Sequence, residues 1–88
     1  MLKKYIRDES KKPFGILVAL DREHIGLSIC NNRDKWNKEL GERLAIGNAF
    51  IKPYEIPHLY NIKRFNLIMD TSIKFVERVQ RYFKEMVE

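Results

Sequence analysis

Residues 24–51, HIGLSICNNRDKWNKELGERLAIGNAFI, contain the change from strand to helix on which the predicted fold depends. Residues 25–30 alternate in the manner of a strand, whereas apolar side chains beyond the polar segment 31–34 recur at spacings of three and four. The change of period predicts a strand that ends near residue 30 and a helix over residues 34–52. Pro53 ends that helix, because the residue before a proline disfavours helical geometry.

Two rows of side chains run along this predicted helix. The first is mostly large and apolar, and consists of Trp36, Leu40, Leu44, Gly47 and Ile51; the second is narrow, and consists of Gly41, Ala45 and Ala49. A glycine inside a helix costs about 1 kcal/mol relative to alanine, so the glycines call for a structural reason. The narrow row predicts close packing against a neighbouring element.

Residues 14–20 and 25–30 form a predicted β-hairpin across the polar residues 21–24. Pairing Leu20 with Ile25 sorts the side chains onto two faces. One face holds Phe14, Ile16, Val18, Leu20, Ile25, Leu27 and Ile29, and the other holds Gly15, Leu17, Ala19, Gly26, Ser28 and Cys30. The bulky face is expected to meet the helices.

A second helix is predicted over residues 65–87, where apolar residues keep helical spacing: Phe65, Ile68, Met69, Phe75, Val76, Val79, Phe83 and Met86. A two-stranded hairpin alone is only marginally stable in water. We therefore expect either a third strand from residues 2–7 or 52–56, or a homodimer in which two chains pair their sheets. The predicted fold class is α+β, a two-layer domain over residues 1–88 in which a β-hairpin, or a three-stranded antiparallel sheet, packs against two helices.

Composition narrows the functional classes. The 88 residues are 44% hydrophobic and 33% charged, which is typical of a folded globule. No apolar run reaches the roughly 18 residues of a membrane span, and the first residues, MLKKYIRDESKK, lack the apolar segment of a secretory signal. A cytoplasmic protein without a membrane partner is expected. The net charge of +5 favours nucleic acid or an acidic protein surface as the partner.

The candidate binding residues surround the start of the predicted first helix: Asn31, Asn32, Arg33, Lys35 and Lys38. A helix N-terminus offers free backbone donors and the positive end of the dipole, so an anion could bind there. The alternative is that Asn31 or Asn32 caps the helix while the basic side chains stay solvated. The sequence lacks the glycine pattern of a phosphate-binding loop.

Catalytic residues are harder to find. Cys30 could act as a nucleophile if a base stood beside it, but His24 falls at the far end of the hairpin and His58 lies in the connector between the helices. The alternative is an inert thiol. One cysteine excludes an internal disulfide, and the histidines lack metal-ligand spacing. The sequence therefore predicts a non-enzyme with no cofactor and no metal.

Two basic groups could contact nucleic acid directly. They are Lys3, Lys4, Lys11 and Lys12 with Tyr5, and Lys63 and Arg64 with Tyr60. Basic residues interleaved with exposed aromatic rings are typical of single-strand binding surfaces, although the same charges also occur on plain solvated faces. Direct nucleic-acid binding is thus the second functional class.

The run IGLSICN at residues 25–31, followed by Asp34, Lys38, Gly41, Ala45, Gly47 and Ala49, resembles small uncharacterised proteins of tailed bacteriophages and prophages. The resemblance covers about residues 25–49. Such relatives carry arginine after the second helix glycine, where this chain has Asn48, which weakens an anion-binding role there.

What the resemblance implies is a non-catalytic accessory protein that acts in the host cytoplasm. It would bind a host protein or protein–nucleic-acid complex, and inhibit or regulate nucleic-acid or defence machinery. A direct nucleic-acid-binding module is the alternative, and a small enzyme using Cys30 is a further one.

Overall fold

The computed structural model describes residues 1–30, 35–51 and 62–87. The elements in chain order are β1 (Leu2–Arg7), β2 (Pro13–Ala19), β3 (Ile25–Ile29), α1 (Lys38–Ile51) and α2 (Ile62–Val87). The strands form one antiparallel sheet in the order β1-β2-β3. The predicted α+β class, a sheet packed against helices, is confirmed, and the third strand comes from residues 2–7. Residues 52–56, the other candidate for a third strand, lie outside the described residues.

Asp8 organises the turn between β1 and β2. Its carboxylate accepts the Ser10 N–H at 2.8 Å and the Lys12 N–H at 3.0 Å, and its own N–H donates to the Lys12 carbonyl at 2.9 Å. Lys11 sits in the left-handed region with φ of 65°. A non-glycine residue pays for that conformation, so the turn stores strain at Lys11.

A bulge near the end of the first hairpin re-aims Phe14. Ile6 pairs with Gly15 whereas Arg7 pairs with Pro13, so Phe14 is the extra residue on β2. Its buried ring joins the apolar cluster on the α2 side of the sheet, and the Arg64 guanidinium lies 4.4 Å from the ring centroid. The prediction that Phe14 shares a face with Ile16 is therefore wrong, because alternation restarts after the bulge.

The register between β2 and β3 differs from the predicted one by a single residue. Leu17 pairs with Leu27 and Ala19 with Ile25, whereas the sequence pattern had paired Leu20 with Ile25. The physical reason is the turn. Leu20 N–H donates to the His24 carbonyl at 3.0 Å, which closes a shorter loop over residues 21–23 and so shifts every later pair.

This shift redistributes the side chains between the two faces of the sheet. Leu17 and Ala19 share a face and a core cluster with Leu27 of β3 and with residues of α2, whereas Ile16 and Val18 cluster with residues of α1. The expectation that one bulky face meets both helices is therefore corrected. The helices lie on opposite faces, and the sheet is the middle of three layers.

Small residues bring α1 close to the sheet. Ala45 is fully buried and Ala49 is nearly so, both against Ile16 and Val18 of β2. Gly26 of β3 faces the same side, and a Cβ built on it would overlap the Ala45 carbonyl oxygen. Close packing of the narrow row is thus confirmed, and Gly26 is the matching small residue on the sheet.

The second helix packs with the predicted stripe. Ile68, Phe75 and Val79 are buried in the cluster between α2 and the sheet, while Phe65 at the edge of the stripe is 36% exposed. Ser72 is also buried, at 3% exposed, and its Oγ has no hydrogen-bond partner among the described residues. The α2 core is therefore apolar apart from one hydroxyl.

Candidate binding surfaces

The helix start predicted at Asp34 is corrected, because α1 begins at Lys38. Asn37 caps it: the Leu40 N–H donates to Asn37 Oδ1 at 3.0 Å, and the Gly41 N–H donates to the Asn37 carbonyl at 2.9 Å. Residues 35–37 are not helical, and residue 34 lies outside the described residues.

The predicted anion-binding residues are only partly described. Asn31, Asn32 and Arg33 lie outside the described residues, and Lys35 and Lys38 are exposed. Lys38 is directed over the sheet, where its Nζ lies 5.8 Å from the centroid of the Tyr5 ring.

The Tyr5 ring links the start of α1 to β1. The Arg7 guanidinium lies 5.8 Å from its centroid, and Trp36 packs edge-on at 6.3 Å. Lys3, on the same side of the sheet, pairs with Glu42 of α1 at 3.3 Å. The cationic groups here have partners within the chain, so this corner holds α1 on β1.

A groove opens between α1 and β3. Its volume is about 590 Å³, and it is lined mainly by apolar atoms, with Ile29, Trp36, Leu40 and Leu44 among the lining residues. We call it the α1 groove. Leu40 and Leu44 are 48% and 51% exposed, so the large apolar row of α1 lies at the surface and the narrow row faces the sheet. Lys35 is the single charged side chain among the described residues that line it.

β3 is an edge strand, and α1 covers part of that edge. The backbone bonds Leu20–His24 and Phe14–Cys30 place Leu27 at a position whose N–H and C=O point away from β2. Asn48 Nδ2 donates to that Leu27 carbonyl at 2.8 Å. Sequence reasoning missed this role, and the signal for it was a polar amide inside a helix that has small, sheet-facing neighbours.

Cys30 also lines the α1 groove, and its residue is partly buried. Its N–H donates to the Phe14 carbonyl at 2.7 Å, and Arg64 Nη1 donates to its carbonyl at 3.4 Å. His24 lies at the other end of β3, roughly 20 Å along an extended chain, which is too far for proton transfer. His58 lies outside the described residues, so no cysteine–histidine pair forms among the described ones.

His24 instead belongs to the turn. Its Nδ1 lies 2.8 Å from both carboxylate oxygens of Asp21, and the Asp21 Oδ1 also accepts the N–H groups of Glu23 and His24 at 2.8 Å. The hydrogen bond from the His24 ring, followed by that from the Glu23 N–H, lowers the pKa of Asp21 below its ordinary value. Both side chains are solvent-exposed, and their contacts lie within the hairpin turn, where they form the Asp21–His24 clamp.

A second pocket, of about 460 Å³, lies between β1 and α2 on the opposite side of the sheet from the α1 groove. Lys4, Lys74 and Arg78 line it together with Asp70 and Thr71. We call it the basic pocket.

The structure separates the residues of the two basic groups that were predicted to contact nucleic acid. Lys3 and Lys4 point to opposite faces of the sheet, so the first group is divided between the two faces. In the second group, Tyr60 and the side chain of Lys63 lie outside the described residues. No sequence pattern predicted that Lys4 and Lys74 line the same pocket, because they are distant along the chain.

Over its described residues, the chain has no group of three histidine, cysteine or carboxylate side chains placed to hold a metal ion. Neither described helix has the length and apolarity that crossing a membrane requires.

Comparison with known proteins gives no relative for the chain. No protein-family model, no curated protein and no solved structure matches it.

Proposed function

We propose that the chain is a non-catalytic binding protein whose α1 groove receives a segment of another protein. The observation that carries this proposal is the exposure of Leu40 and Leu44, at 48% and 51%, beside a groove of about 590 Å³. Exposed apolar side chains grouped around a concavity are typical of interaction sites, whereas single scattered ones are not.

The occupant we propose is an apolar protein segment that carries a carboxylate. Leucine and tryptophan side chains of the groove fit apolar anchors. Lys35 is the one charged residue among the described residues of the lining, and an acidic side chain would neutralise it. The net charge of +5 favours approach to an acidic surface over a basic one. The resemblance to phage proteins makes a host protein, or a host protein–nucleic-acid complex in the cytoplasm, the partner we propose.

The test replaces apolar side chains of the α1 groove with charged ones. The double variant Leu40→Lys, Leu44→Lys places two cations where the partner's apolar anchors would lie. Its matched control is Ile73→Lys, which changes an exposed apolar residue of α2, 54% exposed, outside the groove. Circular dichroism and thermal melting first establish that both variants fold.

Tagged wild-type protein and both variants are then used to capture partners from a host lysate. The expected result is one identified protein that binds the wild type and Ile73→Lys but not the double variant, and that rebinds as a purified component with the same pattern. If the double variant captures the same proteins as the wild type, the groove is not the binding surface.

A second copy of this chain is the competing occupant. Light scattering after size-exclusion chromatography decides the matter. If the wild type is a dimer and the double variant is a monomer, the groove is a self-association surface, and the proposal that it binds another protein is overturned.

A further inference from the structure

The basic pocket brings together cations from distant parts of the chain. Lys4 lies on β1 between Leu2 and Ile6, whose side chains are buried in the cluster against α2, and so it points to the α2 side of the sheet. Lys74 and Arg78 are one turn apart on α2 and line the same pocket. Three positive side chains therefore surround one concavity.

These cations are not neutralised by other residues in the part of the chain that the structure describes. Among the described residues, Lys4, Lys74 and Arg78 form no ion pair, whereas Lys3 on the other side of the sheet pairs with Glu42 at 3.3 Å. Among the described residues, Asp70 is the only acidic one that lines the pocket, and it also forms no ion pair with another of them. The lining charges thus leave an excess of two positive charges.

We propose that the basic pocket binds a phosphomonoester group. Such a group carries about −1.5 to −2 charges at neutral pH, which matches the excess of two in the pocket. Arg78 offers a planar guanidinium that can donate two parallel hydrogen bonds to phosphate oxygens, and the lysines supply point charges.

The remaining lining favours a concave anion site over a flat charged surface. Thr71 contributes a hydroxyl, and the apolar side chains of Leu67 and Phe75 are also part of the lining. Ion pairing strengthens where water is partly excluded. The volume of about 460 Å³ is large enough for a phosphate group together with the small organic molecule or side chain that bears it.

This inference is independent of the α1 groove, because the two surfaces lie on opposite faces of the sheet. A Leu40→Lys, Leu44→Lys protein that binds no partner should still bind phosphate normally. Failure of one proposal is thus separable from failure of the other.

The test is a titration of the full-length, isotope-labelled protein with inorganic phosphate, followed by amide chemical shifts, with sodium chloride at matched ionic strength as the blank. Saturable shifts are expected at the amides of Lys4, Thr71 and Lys74, with a Kd of about 1–10 mM. Shifts that stay linear, or that chloride reproduces, would overturn the proposal.

Three variants then assign the binding to the pocket. Arg78→Gln should weaken phosphate binding at least about 10-fold, and Asp70→Asn should tighten it about 3-fold because a like charge is removed. Arg81→Gln is the matched control: it removes an exposed arginine from the same helix outside the pocket and should leave affinity unchanged. Equal weakening by Arg78→Gln and Arg81→Gln would show general charge attraction and would overturn the site.

Nucleic acid is the competing ligand, and a ten-nucleotide oligothymidylate without terminal phosphates tests it. The pocket should bind this probe no better than it binds inorganic phosphate. Binding about 100-fold tighter, lost in Arg78→Gln and steeply salt-dependent, would make the pocket part of a nucleic-acid surface and would overturn the phosphomonoester assignment. Adenosine monophosphate and a phosphoserine peptide, compared afterwards, distinguish the two sources of a phosphomonoester.

Discussion

Gly26 of β3 lies so close to Ala45 of α1 that a Cβ at position 26 would overlap the Ala45 carbonyl oxygen, and would lie 2.8 Å from the Ala49 nitrogen. The obstacle is helix backbone, which cannot rotate away as a side chain could. Glycine is required at this position by space, since its φ is not positive.

Gly26→Ala should therefore destabilise the fold by about 1–3 kcal/mol or more, because α1 must move off the sheet. Gly47→Ala is the matched control. A Cβ at Gly47 meets nothing within 4 Å, so this change should stabilise α1 by about 1 kcal/mol. Unfolding in urea gives both free energies, and a Gly26→Ala protein as stable as the wild type would contradict the close approach.

Asn37→Ala tests where α1 begins. Loss of the cap should cost about 1 kcal/mol of unfolding free energy, because the Leu40 N–H loses its acceptor. If the helix began at Asp34, residue 37 would be inside it and alanine would stabilise. The sign of the change thus separates the two starts. Asn66→Ala, at an exposed position inside α2, is the control and should be neutral or slightly stabilising.

Lys11→Gly should stabilise the protein by up to about 1 kcal/mol, because glycine adopts the observed φ of 65° without a steric penalty. The backbone bonds of Lys11 to Asp8 and Arg7 are kept in the variant. Lys12→Gly removes the same charge one residue later, where φ is not positive, and should not stabilise. Thermal melting of the two variants compares them, and a lower melting temperature for Lys11→Gly would contradict strain at that residue.

The lowered pKa of Asp21 predicts a pH dependence of stability. A carboxyl group whose pKa is lower in the folded protein than in the unfolded chain stabilises the fold above the unfolded-state pKa, near 3.8, and that contribution is lost as the pH falls through the folded-state pKa. Asp21→Asn keeps an acceptor oxygen but has no charge to titrate.

The wild type should therefore lose stability relative to Asp21→Asn as the pH is lowered from about 5 to 2, because the other carboxyl groups titrate in both proteins. Urea unfolding across this range measures the difference in unfolding free energy between the two proteins. A difference that does not change with pH would show that the Asp21–His24 clamp has no energetic effect.

The sequence predicted the strands, the helices and the fold class because their hydrophobic periodicity is strong. It could not predict the register of β3 against β2. Residues 14–19 of β2 are all buried, so both faces of that strand are apolar and no polar side chain marks a solvent side. The register depends instead on the hydrogen bonds of Asp21, which shorten the loop by one residue. A one-residue error then placed both helices on one face.

The candidate surfaces were predictable only where they are local in sequence. Lys35, Leu40 and Leu44 come from a single stretch, and helical spacing placed the two leucines in one row. Helical spacing predicted that the narrow row of α1 packs closely, but its partner on the sheet, Gly26, is a contact between elements that spacing alone does not reveal. The basic pocket joins Lys4 to Arg78 across nearly the whole chain, so only the fold brings those charges together.

Leu17 and Val18 are neighbours along β2, both fully buried, yet Leu17 packs toward α2 and Val18 toward α1. The two helices make no backbone contact with each other over their described residues. Successive residues of a strand are about 3.3 Å apart along its axis, so a displacement of β2 disturbs both clusters at once. Thermodynamic coupling between the two sides of the molecule needs no contact between the helices, since both apolar clusters pack on the same central strand.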